Sequence, residues 1–176
     1  MNGGDNEEHS RKIGLCGGLS MIVSGGQTGV DRGALDAAIA AGLAHGGWCP
    51  KGRRAEDGMI PEKYMLAETP FFRYAVRTAW NVRDSGGTLV LASGPLAGGT
   101  KLTALCAWRY GRPCMIVDLD VRADAGTVAG WIRANGIGVL NVAGPRASDA
   151  PGIGENARRF VAEIIDCGRW RTLAGF

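Results

Sequence analysis

The sequence predicts an α/β protein, a Rossmann-like three-layer fold with a mostly parallel sheet between two layers of helices. Three observations carry that prediction: short apolar runs recur along the chain, segments of helical period follow them, and glycine-rich turns join the two. A strand covered on both faces reads as an unbroken apolar run. Strand–helix alternation implies crossover connections and hence a parallel sheet.

LSMIV (19–23) is the first such run. It ends in SGGQTG, after which Val30, Ala34, Leu35, Ala38 and Ile39 recur at helical spacing until Gly42 closes the helix. Residues 48–58 are too polar and glycine-rich for regular structure and are expected to form a loop. Residues 77–84 lie on a helix, with Arg77 and Asn81 four apart and therefore on one face. TLVLA (88–92) is a second buried strand, followed by SGPLAGGT and a helix over about 100–110 that ends at Gly111. CMIVD (114–118) is a third strand, leading to a helix around 124–134, and GVLNVAG (138–144) is a fourth. The last helix opens near Pro151 and presents Ile153, Ala157, Phe160, Val161, Ile164 and Ile165 on one face. Residues 1–18 are expected to be a mobile tail with no apolar leader segment. Residues 19–176, undivided by any linker or repeat, are expected to form one domain.

Composition narrows the function. A chain of 176 residues, 45% hydrophobic and 21% charged, has the make-up of a folded globular protein. Its net charge of +3 suits a small anionic ligand but is too weak and scattered for a nucleic-acid groove. No run approaches the ~18 apolar residues of a membrane helix, so no membrane partner is expected. Five cysteines without a C-x-x-C pair fit a reducing cytoplasm, and Cys106 and Cys114 read as small buried hydrophobes. Glycine is the outlier. There are 29, against about 12 at an average usage of ~7%, and they gather in the loops between apolar runs.

Two of those loops look built for an anion. Ser24-Gly25-Gly26-Gln27-Thr28-Gly29-Val30-Asp31-Arg32 follows the first strand, so its main-chain N–H groups and the helix N-terminus can face a phosphate or another oxyanion. A tight turn with Asp31 capping the helix would explain the glycines alone, but three glycines with Gln, Thr and Arg exceed what a turn needs. The pattern is not G-x-G-x-x-G, which gives dinucleotide binding no direct support. Ser93 to Lys101 follows the second strand and nearly mimics a phosphate P-loop, yet ends Thr-Lys rather than Lys-Ser/Thr, which argues against ATP hydrolysis. Lys51, Arg53 and Arg54 crowd three cations into four residues, and Arg146 adds another after the fourth strand. Either set can be a solvated surface or a ligand grip. His45 stands alone in an expected loop, His9 lies in the tail, and neither has metal-ligand spacing.

Longer strings resemble a known family. SGGQTGVDRGALDAAI, HGGWCPKGRRAEDG with IPEKY, RTAWNVRDS with GTLVL and SGPLAGGT, and LNVAGPRAS with PGI resemble, in order from about Met21 to Phe160, the molybdenum-cofactor carrier proteins of the SLOG superfamily. The resemblance implies a Rossmann-like fold and a homo-oligomer, tetramer or dimer. It also implies binding of the molybdenum cofactor (molybdopterin) as cargo, for storage, protection or delivery to an apo-molybdoenzyme. It carries binding roles to Gly25, Gly26, Gln27, Thr28, Gly29, Asp31, Arg32, Lys51, Arg77, Asn81, Gly98, Gly99 and Thr100, with no metal ligand and no catalytic residue. Five tryptophans (Trp48, Trp80, Trp108, Trp131 and Trp170), many for one small core, also suit an oligomer.

The same superfamily contains nucleotide sensors and the Lonely Guy phosphoribohydrolases, whose PGGxGTxxE loop ends in a catalytic glutamate. Aligned on Gly98-Gly99-Thr100, that glutamate falls at Thr103, which disfavours nucleoside monophosphate hydrolysis unless Asp31 or Asp84 substitutes.

Overall fold

The computed structural model describes residues 18–121 and 124–173, with side chains as far as residue 168. The expected tail, with His9 and Cys16, lies outside the described residues apart from Gly18, and so does the side chain of Trp170.

Strand β1 (Met21–Val23) leads to helix α1 (Val30–Ala40) and then β2 (Ala44–Gly46). An excursion follows, with β3 (Trp48–Cys49), the two-residue strands β4 (Arg54–Ala55) and β5 (Gly58–Met59), and β6 (Ala67–Glu68). The main fold resumes with α2 (Tyr74–Arg83), β7 (Gly87–Ala92), α3 (Gly98–Arg109), β8 (Cys114–Asp118), α4 (Ala125–Ala134), β9 (Val139–Ala143) and α5 (Ile153–Leu173). Five strands form one all-parallel sheet in the order β2-β1-β9-β7-β8. The last strand is thus inserted between β1 and β7. Helices α1 and α4 pack on α5 on one side, and α2 packs against α3 on the other, which gives the three layers.

Each main element follows from local chemistry. β7 is buried at every position, as its unbroken apolar run requires. Asp124 caps α4 by accepting from the N–H groups of Gly126 (3.1 Å) and Thr127 (3.0 Å). Helices α1 and α3 are closed by Gly42 and Gly111 in the left-handed region. Ile22, Leu89, Leu91, Leu140 and Val142 of the sheet meet Val30, Ala34, Val128, Ile132, Phe160 and Ile164 in one core.

Three expectations are corrected. Residues 48–58 are not an unstructured loop, because β3 pairs with β6 and β4 with β5. Leu35, Cys49, Ile60, Tyr64 and Leu66 make a small second core beneath them. Arg53, at φ 48°, holds the segment by donating to the carbonyls of Ile60, Pro61, Tyr64 and Leu66 at 3.0–3.1 Å. Cys114 is exposed rather than buried, because β8 is an edge strand with one face partly uncovered, and Cys106 on α3 is half-buried. His45 is not in a loop but in β2, its ring 3.2 Å from the Lys63 carbonyl.

Candidate functional site

At the carboxyl ends of β7 and β9 lies a cavity of about 390 Å³, within the ~300–1,000 Å³ usual for small-molecule sites. This is where the strand order reverses, β1 running on to β2 in one direction and β7 to β8 in the other, and ligands of open α/β sheets bind at such a point. Its wall is built from the α1 entry (Gln27, Asp31), the exposed face of α2, the loop from Ser93 into α3, and the turn after β9.

Arg77 is the buried cation of this wall. Its Nη1 donates to Asp31 Oδ2 at 2.9 Å, with the two side chains 13% and 4% exposed. Asp31 Oδ2 also accepts from the Gln27 N–H at 3.2 Å and sits in the first turn of α1, where the helix dipole favours a negative charge. Arg77 Nε is buried and has no hydrogen-bond partner among the described residues. Gly25 makes room for this guanidinium, since a Cβ at that position would overlap it.

The second anion-receptive feature is the start of α3. Ala97 is extended, no side chain caps the helix, and Gly98, Gly99 and Thr100 all line the cavity. A Cβ on either glycine would meet nothing within 4 Å, so this end of the helix is open. The first N–H groups of a helix have no intrahelical acceptor and carry its positive dipole end. The start of α1 is different. Val30 N–H donates to the Pro145 carbonyl (3.1 Å) and Thr28 N–H to Gln27 Oε1 (3.0 Å). Gly29, at φ 76°, packs so close to Pro145 that a Cβ would overlap the carbonyl oxygen. The first glycine loop is engaged with its own chain.

Of the expected binding residues, the structure therefore brings Gln27, Asp31, Arg77, Gly98, Gly99 and Thr100 to one cavity. It places the others elsewhere. Gly25 and Gly29 serve the packing just described, and a Cβ on Gly26 would overlap Leu66 of the second core. Arg32 forms a two-pronged ion pair with Asp57 (2.6 and 2.7 Å) and donates from Nε to the Gly26 carbonyl (3.1 Å). Asn81 is buried and grips the backbone of Trp48, accepting from its N–H (2.7 Å) and donating to its carbonyl (2.9 Å). Lys51 lies over the Phe72 ring at 5.4 Å. The fork of Arg32, expected to meet the ligand directly, faces Asp57 in this structure.

The cavity also uses residues that sequence reasoning did not select: Tyr74, Thr78 and the turn at Asp149 and Ala150. Tyr74 stands three before Arg77 and four before Thr78, so helical spacing through Tyr74 was the available signal. Arg146 was noted in the sequence and does line the cavity, paired with Asp149 at 3.0 Å and near Glu56 at 3.5 Å.

Glu56 clasps the excursion to this rim. It accepts from the Thr28 hydroxyl, from the Ser148 hydroxyl and from the Ser148 N–H (3.2 Å), while its own N–H donates to Gln27 Oε1 (3.0 Å). The bonds from Ser148 and Thr28 hold its carboxyl below the usual carboxylate range. A group whose pKa falls on folding stabilises above its unfolded value near 4.5 and loses that contribution as pH drops through the folded value. Acidification through that folded value is therefore expected to free the 53–60 and 145–149 segments before the sheet unfolds. Amide exchange followed against pH reads this, and Glu56→Gln should show fast exchange in both segments already at neutral pH.

A parallel five-stranded sheet with a crevice at its carboxyl edge defines a Rossmann-like ligand-binding protein. Residues 22–165 match the circularly permutated YpsA SLOG family (cpYpsA), and the chain belongs to that family. It is also similar to the crystal structure of a "Putative molybdenum carrier protein" from Syntrophus aciditrophicus SB. The identity is 45%, the match covers 84% of this chain and 95% of that one, and the TM-score is 0.77. Among curated proteins, none matches the sequence. Among the described residues no helix is long and apolar enough to cross a membrane, and no group of three His, Cys, Asp or Glu side chains is placed to hold a metal ion.

Proposed function

We propose that this protein binds the molybdenum cofactor as cargo and carries it, without transforming it, to an acceptor apo-enzyme. The observation that carries the reading is the pairing of Arg77 with buried Asp31 on the wall of a cavity that also receives the open start of α3. An arginine held rigid by a buried carboxylate, together with free main-chain N–H groups, suits an oxyanion or a terminal phosphate. Among the described residues no Cys or His lines the cavity, so molybdenum would be held through the cofactor's own dithiolene rather than by a protein ligand. The similar structure's name, a molybdenum carrier, points the same way.

The cavity chemistry speaks against hydrolysis. Its lining carboxylates are Asp31 and Asp149, each ion-paired with an arginine. Thr103, at the position of the hydrolase glutamate, donates its hydroxyl to the Gly99 carbonyl at 2.9 Å. Asp84 is turned to Arg83 and Trp48. Denaturing the purified protein should release a fluorescent pterin with molybdenum in equal amount, and incubation with nucleoside monophosphates should release no free base. Base release, with no pterin recovered, would replace the carrier by a hydrolase.

A further inference from the structure

We propose that two copies of this chain join edge to edge through β8, across a two-fold axis at Ile116, to form a continuous ten-stranded sheet. β8 ends the sheet order, and among the described residues no strand pairs with its outer edge. The Thr88 N–H donates to the Pro113 carbonyl (2.8 Å) and the Leu119 N–H to the Ala92 carbonyl (2.9 Å). Residues 113, 115, 117 and 119 therefore aim their backbone groups at β7. By alternation Cys114, Ile116 and Asp118 aim theirs outward. Sheet edges are ordinarily blunted by short strands, by charged side chains, especially Lys, or by Pro within them. This one runs for five residues, CMIVD, without Lys or Pro, and its one charge, Asp118, stands at the end.

The edge is self-complementary. In an antiparallel pair centred on Ile116, Ile116 faces its own copy, Cys114 faces Asp118, and Arg112 faces Asp120. All three outward residues then exchange both backbone hydrogen bonds with the other copy, because each lies at a hydrogen-bonded position. The charges match: a cation precedes the strand and two anions follow its core. Arg112 touches the Arg83 carbonyl through Nη2 (2.9 Å), while Asp120 accepts from the Ser93 hydroxyl through one oxygen only (2.7 Å).

The side chains agree with the backbone. Met115 and Val117 pack into the main core, which places Cys114 and Ile116 on the face covered by α2 and α3. There Ile116 is 52% exposed, and the free flank of α3 shows Leu105 at 53% and Trp108 at 82%. A two-fold axis perpendicular to the sheet keeps each face on its own side and brings these apolar groups toward their copies. Isologous contacts of this kind are the commonest in homo-oligomers. Exposed tryptophan is rare outside contacts.

Light scattering at micromolar concentration should give at least twice the 18.4 kDa chain mass. Ile116→Asp sets two carboxylates face to face on the axis and should halve the mass, with circular dichroism unchanged. Arg112→Asp should also dissociate the pair, and adding Asp120→Arg should restore it, a rescue that a merely structural role would not give. Ile116→Cys should form an intermolecular disulfide under mild oxidation that the parent does not. Hydrogen-bonded antiparallel partners have Cα atoms ~5.5 Å apart, within the ~4.4–6.8 Å span of disulfides. A parent of monomer mass overturns the proposal. So does an oligomer that survives Ile116→Asp and Arg112→Asp and yields no such crosslink.

Discussion

Arg77→Ala should both destabilise the protein and weaken its affinity for the proposed anionic ligand. The substitution removes the buried cation of the cavity wall and leaves Asp31, only 4% exposed at its side chain, with a single N–H bond from Gln27. Removing one partner of a buried ion pair costs about 3–5 kcal/mol, because the remaining charge is desolvated and uncompensated. At roughly 2–4 °C per kcal/mol for a chain of this size, the melting temperature should fall by about 6–20 °C. The lost charge-assisted bond should weaken ligand affinity by roughly 10- to 150-fold. The two effects separate in the double variant Arg77→Ala with Asp31→Asn, where the stranded charge is gone. Stability should largely return, but affinity should not. Gly25→Ala supplies an independent check, since its Cβ overlaps the guanidinium and should evict an intact Arg77. Calorimetry and pterin-fluorescence titration of the three variants test the assignment. If Arg77→Ala binds like the parent while folded, the anion site is not on this wall.

Gly33→Val should cost at least about 3 kcal/mol. Gly33 lies in the middle of α1, where helix propensity alone would favour alanine. Tertiary contact decides otherwise: a Cβ there would overlap the Gly154 carbonyl oxygen and stand 3.1 Å from the Arg158 amide nitrogen. Both neighbours belong to the backbone of α5 and cannot rotate away, so the helices must separate. Overpacking ordinarily costs ~1–3 kcal/mol, and the upper end applies where backbone meets side chain. Because α1 also carries Asp31, ligand affinity should fall with stability. Gly130→Ala in α4 is the control. Its nearest neighbour is the flexible end of Arg133 at 3.9 Å, and the propensity gain of about 0.5–1 kcal/mol should raise the melting temperature slightly. Thermal unfolding of both variants checks the contrast, and a stable Gly33→Val would show that α1 and α5 are not tightly joined.

The sequence by itself determined most of the scaffold. Burial on both faces forces an unbroken apolar run such as TLVLA, and capping chemistry fixes where helices stop, as at Gly42 and Gly111. Period therefore revealed the main strands and helices, and the strand–helix turns marked the end of the sheet where the cavity lies. Only the tertiary structure decided which turn is open. Both glycine loops obey the same local rule, yet the first is engaged by Pro145, a residue 115 positions beyond Val30, because β9 inserts between β1 and β7. Arg32 and Arg77 look equally available in one dimension. Asp57 fills the fork of the first, while buried Asp31 fixes the second at the cavity wall. The excursion between β2 and α2 went unread because its strands are two residues long, too short to show a period, and are held by Arg53 and a small separate core. Local pattern records what each segment needs from its surroundings. Strand order decides which distant residue meets that need, and no period in the chain encodes it.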